Sequence, residues 1–331
     1  MLLAFGPAAF SQRISEKFIP TLTSSSLMSA SYDGEDFNNN FNLSTMEAEW
    51  VDNGRRGLSA QVSYDLVAKH FMELFVGYRI APELLVKVGQ QKMFFLQEII
   101  TSPRTLEASG YSMGMNYLGG YIRDICGITS RARDWGVTLS GDLFPRVGGK
   151  SVVSYNLGVF QGNGYSLKDK DDAKNFTGLL MVRPIGSLTL SVGGMWGKYT
   201  TEEEPLPHLT SRNRLSGGIF YDDGKFFLKN EAVYGKTDAL ESWGVNSLVG
   251  VWFRHDMAIA LRADHFSRDV SDKDSSTDKF DICFSHKPGR FLRYRIQFSR
   301  TTFDGNHDNS VSLGISLRFS STAFNKKHET K

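Results

Sequence analysis

Val311-Ser312-Leu313-Gly314-Ile315-Ser316-Leu317-Arg318-Phe319 is the stretch whose pattern decides the fold class of this chain. Every odd-numbered residue in it is apolar, and every even-numbered residue is small or polar. Successive side chains of a β-strand point to opposite faces, so one face of this strand is apolar and the other polar. Because the stretch ends on an aromatic residue and stands near the end of a chain rich in similar segments, we interpret it as the closing strand of a transmembrane β-barrel.

Alternating segments of this kind recur along the whole chain. There are about sixteen of them, and a length of roughly ten residues is what a tilted strand needs to cross a bilayer. The sequence therefore predicts an all-β fold, a transmembrane antiparallel β-barrel of about sixteen strands that occupies residues 26–319. The predicted strands are 26–32, 41–51, 58–65, 70–80, 84–92, 135–143, 151–161, 175–183, 188–196, 215–221, 225–235, 249–253, 257–263, 278–286, 292–298 and 311–319.

The connections between the predicted strands alternate in length. Those after even-numbered strands are short, as in Val51-Asp52-Asn53-Gly54 and Asp222-Asp223-Gly224, and their residue types suit tight hairpins. Those after odd-numbered strands are mostly longer and polar, as in 33–40, 162–175 and 199–211. Short periplasmic turns and long extracellular loops are typical of outer-membrane barrels, and an even strand count leaves both termini in the periplasm.

The composition is compatible with one barrel domain and argues against several other classes. The 331 residues carry a formal net charge of +2, with no basic run interleaved with aromatics, so we predict no nucleic-acid partner. No apolar run approaches the ~18 residues of a transmembrane helix.

Cys126 and Cys283 stand far apart and outside any metal-spaced group, so we predict that they are incidental and that there is no metal site. The motifs G-x-S-x-G and H-E-x-x-H are missing, so we expect no enzymatic activity and no cofactor.

Both ends of the chain differ from the predicted barrel. Residues 1–11 are apolar and uncharged, with small residues Ala9 and Ser11 near their end, so they resemble the apolar half of a secretory signal peptide that lacks its basic start. An ordinary apolar N-terminus or a buried strand is the alternative. We expect residues 12–25 to form a periplasmic segment and residues 320–331 to form a periplasmic tail.

Residues 93–133 form a connection too long for an ordinary loop in a compact domain. Large barrels leave an aqueous channel unless something fills it. We therefore predict that this segment folds inward as a constriction loop and narrows the lumen. A large exposed loop or hairpin is the alternative.

Two segments that flank this connection resemble the phosphate-selective porin O and P family. Val88-Gly89-Gln90-Gln91-Lys92-Met93-Phe94-Phe95-Leu96-Gln97-Glu98 is similar to the family segment that leaves a strand, with Gln91 where Phe is usual and Phe94 where Pro is usual. After Arg104, the run Arg133-Asp134-Trp135-Gly136-Val137 is similar to the segment that begins the family's next strand. The resemblance implies a water-filled homotrimer of the Gram-negative outer membrane, whose inward-folded loops and basic residues favour anions such as phosphate or polyphosphate.

The strand register predicts which charged side chains face the lumen, because the apolar face of each strand must point outward. Basic side chains there would lower the energy of an anion in a narrow pore. The long connection is the first choice and the last strands the second, and the candidates for the anion path are Lys92, Arg104, Arg123, Arg131, Arg133, Arg262, Arg293, Arg295 and Arg318. The more ordinary interpretation is a hydrated wall, since acidic residues share the same face and would form cross-strand ion pairs.

We therefore predict an outer-membrane porin, surrounded by outer-membrane lipid, that passes small hydrophilic and preferably anionic solutes by passive diffusion. The alternative is a non-conducting barrel plugged by residues 93–133 and used for adhesion or surface display. A soluble β-sandwich fits less well, because polar residues line one face of so many strands. Ser312-x-Gly314-x-x-Leu317-x-Phe319 resembles the signal that outer-membrane barrels present to the barrel assembly machinery, which is thus a predicted partner.

Overall fold

Sixteen antiparallel strands close into one barrel in the computed structural model, which describes residues 20–51, 57–146, 149–165, 171–201, 208–254 and 256–321. Strands are numbered along the chain, and β10 and β11 form a separate two-stranded sheet. The strands are β1 (Thr21–Tyr32), β2 (Phe37–Val51), β3 (Gly57–Asp65), β4 (His70–Ala81), β5 (Leu84–Lys92), β6 (Arg133–Leu143), β7 (Val153–Phe160), β8 (Asn175–Val182), β9 (Leu188–Trp196), β10 (Lys198–Thr201), β11 (His208–Ser211), β12 (Asn213–Asp222), β13 (Phe226–Thr237), β14 (Leu240–Arg254), β15 (Met257–Ser267), β16 (Ser276–His286), β17 (Leu292–Phe303) and β18 (Asn306–Ser320).

The barrel closes between its first and last strands. β1 pairs antiparallel with β18, from Thr23 opposite Ser320 to Tyr32 opposite Val311. The other barrel strands pair with their neighbours in sequence, and β12 follows β9 across the β10–β11 hairpin. A closed barrel has no free sheet edge, so its backbone groups are hydrogen-bonded internally, as a lipid environment requires. The predicted fold class and the predicted number of barrel strands are confirmed.

The closing strand β18 has the two faces that its sequence predicts. Val311 and Leu313 are 51% and 41% exposed on the outside of the barrel, whereas Gly314 and Ser316 are buried towards the lumen. Water would solvate the outer apolar side chains poorly, so this face belongs against lipid tails. No helix in the described part of the chain is long and apolar enough to span a membrane.

Several strands are longer than the sequence pattern predicts. β1 begins at Thr21 rather than at residue 26, and β2 begins at Phe37, inside the predicted loop 33–40. Polar residues continue these strands, so the apolar alternation stops before the backbone pairing does. The predicted contrast between short turns and long loops is therefore weaker than expected: β17 and β18 are joined by only Asp304 and Gly305, whose φ angles of 48° and 72° fit a tight hairpin turn.

The two chain ends lie mostly beyond the part that the structure describes. The predicted signal peptide, residues 1–11, is outside the described residues, as is residue 322 onward in the predicted tail. Of the predicted periplasmic segment, residues 21–25 belong to β1, and Thr23 to Ser25 pair with β18.

Residues 93–132 fold into the barrel and are called the inner loop below. A short 3-10 turn (Glu98–Ile100) and one short helix, α1 (Met113–Tyr117), lie within it. The apolar side chains of the inner loop form a buried cluster with side chains of the barrel wall, and this cluster includes Met93, Phe95, Leu96, Ile99, Met115, Leu118, Phe160, Met195, Val233 and Phe266. The prediction that this connection folds inward is confirmed.

Candidate functional site

Carboxylates of the barrel wall hold the backbone of the inner loop. The amide nitrogens of Gln97 and Glu98 donate to the Glu231 carboxylate of β13 over 2.5 and 3.0 Å. The amide nitrogen of Met113, at the start of α1, donates to Asp264 of β15 over 2.7 Å. Buried amide groups need hydrogen-bond partners, so these two acids fix the path of the loop across the lumen.

A buried cluster of two arginines and one aspartate joins the inner loop to β12. Asp124 of the loop accepts from Arg212 at 2.7 Å and from Arg214 at 2.9 Å, and all three side chains are almost fully buried. Burial alone would raise the pKa of Asp124, but the two guanidinium groups outweigh it and lower this pKa to about 2. Asp124 therefore stays ionised at neutral pH, and the cluster retains one excess positive charge.

Arg262, a predicted anion-path residue on β15, faces the lumen and contacts the inner loop. Its guanidinium pairs with Asp281 of β16 at 2.6 Å and donates to the Gly110 carbonyl over 2.9 Å. This side chain is thus neutralised by a cross-strand carboxylate, as the hydrated-wall interpretation expects, and it supports the loop.

Arg293 and Arg295 of β17 also face the inner loop. Arg293 donates to the carbonyls of Thr105 and Leu106 over 2.8 and 3.0 Å. Arg295 donates to the Leu106 carbonyl over 2.7 Å and to the Arg104 carbonyl. Neither forms an ion pair with a described carboxylate, so each places a positive charge beside the loop.

Two of the predicted basic residues at the end of the connection are paired with acids of the barrel wall. Arg133 binds Glu73 of β4 at 2.6 Å, and Arg131 binds Asp65 of β3 at 3.0 Å. Each pair is largely buried, so its net field at the lumen is small. Arg123, in contrast, is exposed and lines neither of the lumen cavities described below.

Lys92 and Arg104 have no carboxylate partner among the described residues. Lys92 donates to the Ile99 carbonyl over 2.9 Å. Arg104 donates to the Thr45 hydroxyl over 2.6 Å, while its Nε has no hydrogen-bond partner among the described residues. Burial lowers the pKa of Arg104, yet a guanidinium starts so high that it remains charged.

The inner loop leaves a cavity of about 290 Å³ on the side of the chain termini. Thr23 and Ser25, near the start of β1, mark its position, and we call it the terminal-side cavity. Its lining includes two acidic side chains, Glu47 and Glu73, and five basic ones, which are Lys87, Lys92, Arg104, Arg133 and Arg318.

A second cavity, of about 570 Å³, lies towards the other end of β1, where Ser29 and Ser31 contribute to it. We call it the loop-side cavity. Its described lining contains no Asp or Glu, and its basic residues are Arg131, Lys279 and Arg295. The two cavities share three lining residues, Leu43, Pro103 and Tyr121, which form the waist between them.

Six of the nine predicted anion-path residues therefore line one of the two cavities, whereas Arg123, Arg262 and Arg293 line neither. Lys87 and Lys279 also line the cavities but are not among the predicted anion-path residues. The lumen-facing register of β5 contained the signal for Lys87. The waist was also missed, because the approach of Tyr121 to Leu43 depends on how the inner loop folds.

The described residues contain no group of His, Cys, Asp and Glu side chains arranged to hold a metal ion. Cys126 and Cys283 are both buried and unpaired. The Cys283 thiol donates to the Glu107 carbonyl over 3.1 Å, so this cysteine supports the inner loop.

No family model matches this chain, and no curated protein matches it. Among solved structures, it is similar to OmpT, an outer membrane protein of Vibrio cholerae in a trimer form, with TM-score 0.68 and 9% identity over 92% of this chain and 100% of that one. It is similar to an anion-selective porin from Comamonas acidovorans, with TM-score 0.65 and 14% identity over 91% and 99%. Salmonella typhi OmpF in complex with daunomycin gives TM-score 0.68 and 12% identity over 92% and 99%. At these identities the similarity establishes the fold alone, which is a porin-like barrel. The location follows from the barrel itself, since a closed sixteen-strand barrel with an apolar outer face belongs in the Gram-negative outer membrane and crosses the bilayer many times.

Proposed function

We propose that this chain is a porin through which small hydrophilic solutes cross the outer membrane by passive diffusion, with a preference for anions. The observation that carries the proposal is the charge of the lumen beside the inner loop. The two cavities together present eight basic side chains and two acidic ones among the described residues. A narrow water-filled path of that charge lowers the energy of an anion inside it.

Five of these basic residues form no ion pair with a described carboxylate, and we call them the basic track: Lys87, Lys92, Arg104, Arg295 and Arg318. Four of them line the terminal-side cavity, and Arg295 lines the loop-side cavity. Arg104 lies next to the waist, because it follows the waist residue Pro103 in the chain. By contrast, Arg131, Arg133 and Lys279 are paired with acids. The proposal therefore assigns the anion preference to the basic track and a structural role to the paired arginines.

The identity of the anion is a further part of the proposal. The resemblance of residues 88–98 and 133–141 to the phosphate-selective porin family favours phosphate or polyphosphate. The anion-selective porin of Comamonas acidovorans, with the same fold, supports anion passage in general. The positive charge of the basic track would attract small organic anions as well.

Two partners also belong to this proposal. We expect a homotrimer, for which the trimer form of the Vibrio cholerae protein and the family resemblance are the support, and light scattering in detergent measures it. We also expect the barrel assembly machinery to recognise the closing strand β18 through Phe319, which is 45% exposed at the terminal end of the barrel.

A plugged barrel for adhesion or surface display is the second candidate function. The packing of the inner loop favours it, because the buried cluster with Val233 and Phe266 fills the lumen on the side of β13 and β15. The two cavities on the opposite side favour a channel, since they leave space beside β1, β2 and β18.

Planar-bilayer recording in a potassium chloride gradient tests both candidates. A porin with the basic track gives stepwise conductance and a reversal potential of anion-selective sign. A cation-selective sign would contradict the assignment of the basic track. Complete lack of conductance in correctly folded, heat-modifiable protein would instead favour the plugged barrel.

A further inference from the structure

Two leucines break the polar pattern of the lumen-facing wall in the loop-side cavity. Leu27 of β1 and Leu43 of β2 stand directly opposite each other in the strand register, and both line this cavity. Their neighbours on the same face are hydroxyl residues, such as Ser25, Ser29 and Thr45. A wall that only conducts water and ions has no need of two paired leucines at this point.

The inner loop presents a second apolar surface to the same cavity. Pro103, Tyr121 and Ile122 line it from the loop. Tyr121 packs edge-on against Tyr111 with ring centroids 4.5 Å apart, and this contact fixes the orientation of the partly buried Tyr121 ring. The cavity therefore has an apolar side formed jointly by the barrel wall and the inner loop.

Basic side chains surround this apolar side. Lys279 and Arg131 are partly exposed, with side chains 26% and 17% accessible, and each also contacts a carboxylate, Asp281 and Asp65 respectively. Arg295 supplies the positive charge that no carboxylate compensates. Arg295 lies beneath the surface without a carboxylate partner, and it uses three of its five N–H donors on Leu106, Ser316 and Arg104. A carboxylate in the cavity gains from this field and from hydrogen bonds to exposed donors.

The size of the cavity also bears on its ligand. A volume of about 570 Å³ falls within the range of small-molecule sites, which combine apolar walls with a few polar groups. Inorganic phosphate has no apolar surface to bury, and contact with leucine and proline would only remove its hydration. A ring-bearing carboxylate matches both features, because its flat apolar body covers the leucines while its charge faces the basic residues.

We infer that the loop-side cavity is a binding site for ring-bearing carboxylates, so that, among the anions considered above, the channel selects aromatic organic anions over the phosphate that the family resemblance favours. This inference rests on the anion-conducting function proposed above and adds the chemical class of the solute. Tyr121 is the specificity-determining residue, since it lies at the waist and lines both cavities.

The test compares benzoate, acetate and inorganic phosphate as blockers of chloride current through the purified protein in planar bilayers. Benzoate and acetate carry the same charge and differ by the ring. We expect benzoate to block at about tenfold lower concentration than acetate, with phosphate no better than acetate. Stronger block from the loop side than from the terminal side is the expected asymmetry.

Three variants assign this preference to the site. Tyr121→Ala and Leu43→Ser should each reduce the advantage of benzoate about three- to tenfold, with block by acetate unchanged. Tyr117→Ala is the matched control, because Tyr117 belongs to the same loop but packs on Phe266 and lines neither cavity. Each variant is first checked for heat-modifiable mobility, so that an unfolded protein is not scored.

The outcomes separate this inference from the channel proposal. Anion-selective channels that benzoate and acetate block equally, or that phosphate blocks best, overturn the ring-carboxylate site and leave the porin intact. An equal effect of Tyr117→Ala and Tyr121→Ala also overturns it. Cation-selective or silent protein overturns the porin proposal, and this inference with it.

Discussion

The substitution Asp124→Asn should release the inner loop from the barrel wall. Asp124 is the only carboxylate that contacts Arg212 and Arg214 among the described ion pairs, at 2.7 and 2.9 Å. Removing one partner of a buried ion pair costs about 3–5 kcal/mol, because the remaining charge is left without compensation. Here two arginines lose their partner, so we expect the docked loop to be destabilised by at least the lower value, ~3 kcal/mol.

Hydrogen exchange measures that change directly. A docking free energy smaller by ~3–5 kcal/mol raises the open population by a factor of about 10² to 5 × 10³, and the amides of residues 93–132 should exchange faster by that factor. Amides of β14 to β17 should keep their protection, since the barrel pairing is unchanged. Glu241→Gln is the control, because its ion pair with Lys236 is exposed and such pairs contribute little. Unchanged exchange of the inner loop in Asp124→Asn would refute the anchoring role of the cluster.

The same anchor predicts an acid-dependent release of the inner loop. The docked pKa of Asp124 is about 2, below the ordinary value of about 3.9 for a free aspartate. The stabilisation is therefore complete above pH ~3.9 and is lost as the pH falls towards the docked value. Pepsin works in this range, so cleavage within the inner loop should increase between pH ~4 and ~2 in the natural protein. Asp124→Asn should be cleaved readily across the whole window.

Three further predictions concern charge, assembly and backbone conformation. Arg104→Gln should lower the anion-to-cation permeability ratio about tenfold, because a charge ~6 Å from the path in water is worth ~0.7 kcal/mol, about threefold for each ion in opposite directions. The double variant Arg131→Gln with Asp65→Asn removes a neutral pair and should shift the reversal potential far less. The opposite ranking would place selectivity in the paired arginines. Phe319→Ala should reduce the amount of heat-modifiable protein in the outer membrane several-fold, while Phe303→Ala, at the other end of the barrel, should not, and equal yields would exclude Phe319 as an assembly signal. Gly89 has a φ of +132°, and a Cβ added there would lie 2.2 Å from the Leu74 carbonyl oxygen. Gly89→Ala should therefore destabilise the barrel by about 1–3 kcal/mol. The control is Gly178→Ala, where the nearest atom to an added Cβ is at 3.5 Å, and it should leave the thermal midpoint nearly unchanged.

The barrel could be predicted from the sequence because its signal is local. In β18, the alternation of Val311, Leu313 and Ile315 with small or polar residues already defines the two faces. The sequence predicts a loop over Asn38 to Asn40, because a polar strand beyond the bilayer has no apolar face, yet these residues pair with β1. Local alternation therefore locates the bilayer-spanning part of a strand better than its ends.

The site was harder to predict because its chemistry depends on distant partners. Arg133 and Arg104 look equivalent in the sequence, but only Arg133 meets an acid, Glu73, which is 60 residues earlier in the chain. The function of Leu27 and Leu43 was missed for a related reason. Their inward position indicates a binding surface only because the inner loop brings Tyr121 to the same cavity. The presence of glycine in the Val88-Gly89-Gln90 motif, in contrast, has a local cause, which is the positive φ angle of Gly89.

The anchors of the inner loop also order the steps by which the barrel is built. The loop follows β5, but its partners come much later: Asp264 is 151 residues from Met113, and Arg295 is 189 residues from Leu106. Contacts over such distances form only after the intervening chain has been organised. We therefore expect the inner loop to complete its docking only after β15 and β17 have joined the sheet, which would leave an incompletely assembled barrel with a wider lumen than the finished one. Such an intermediate would admit larger solutes, so rapid completion of the last strands would protect the permeability barrier.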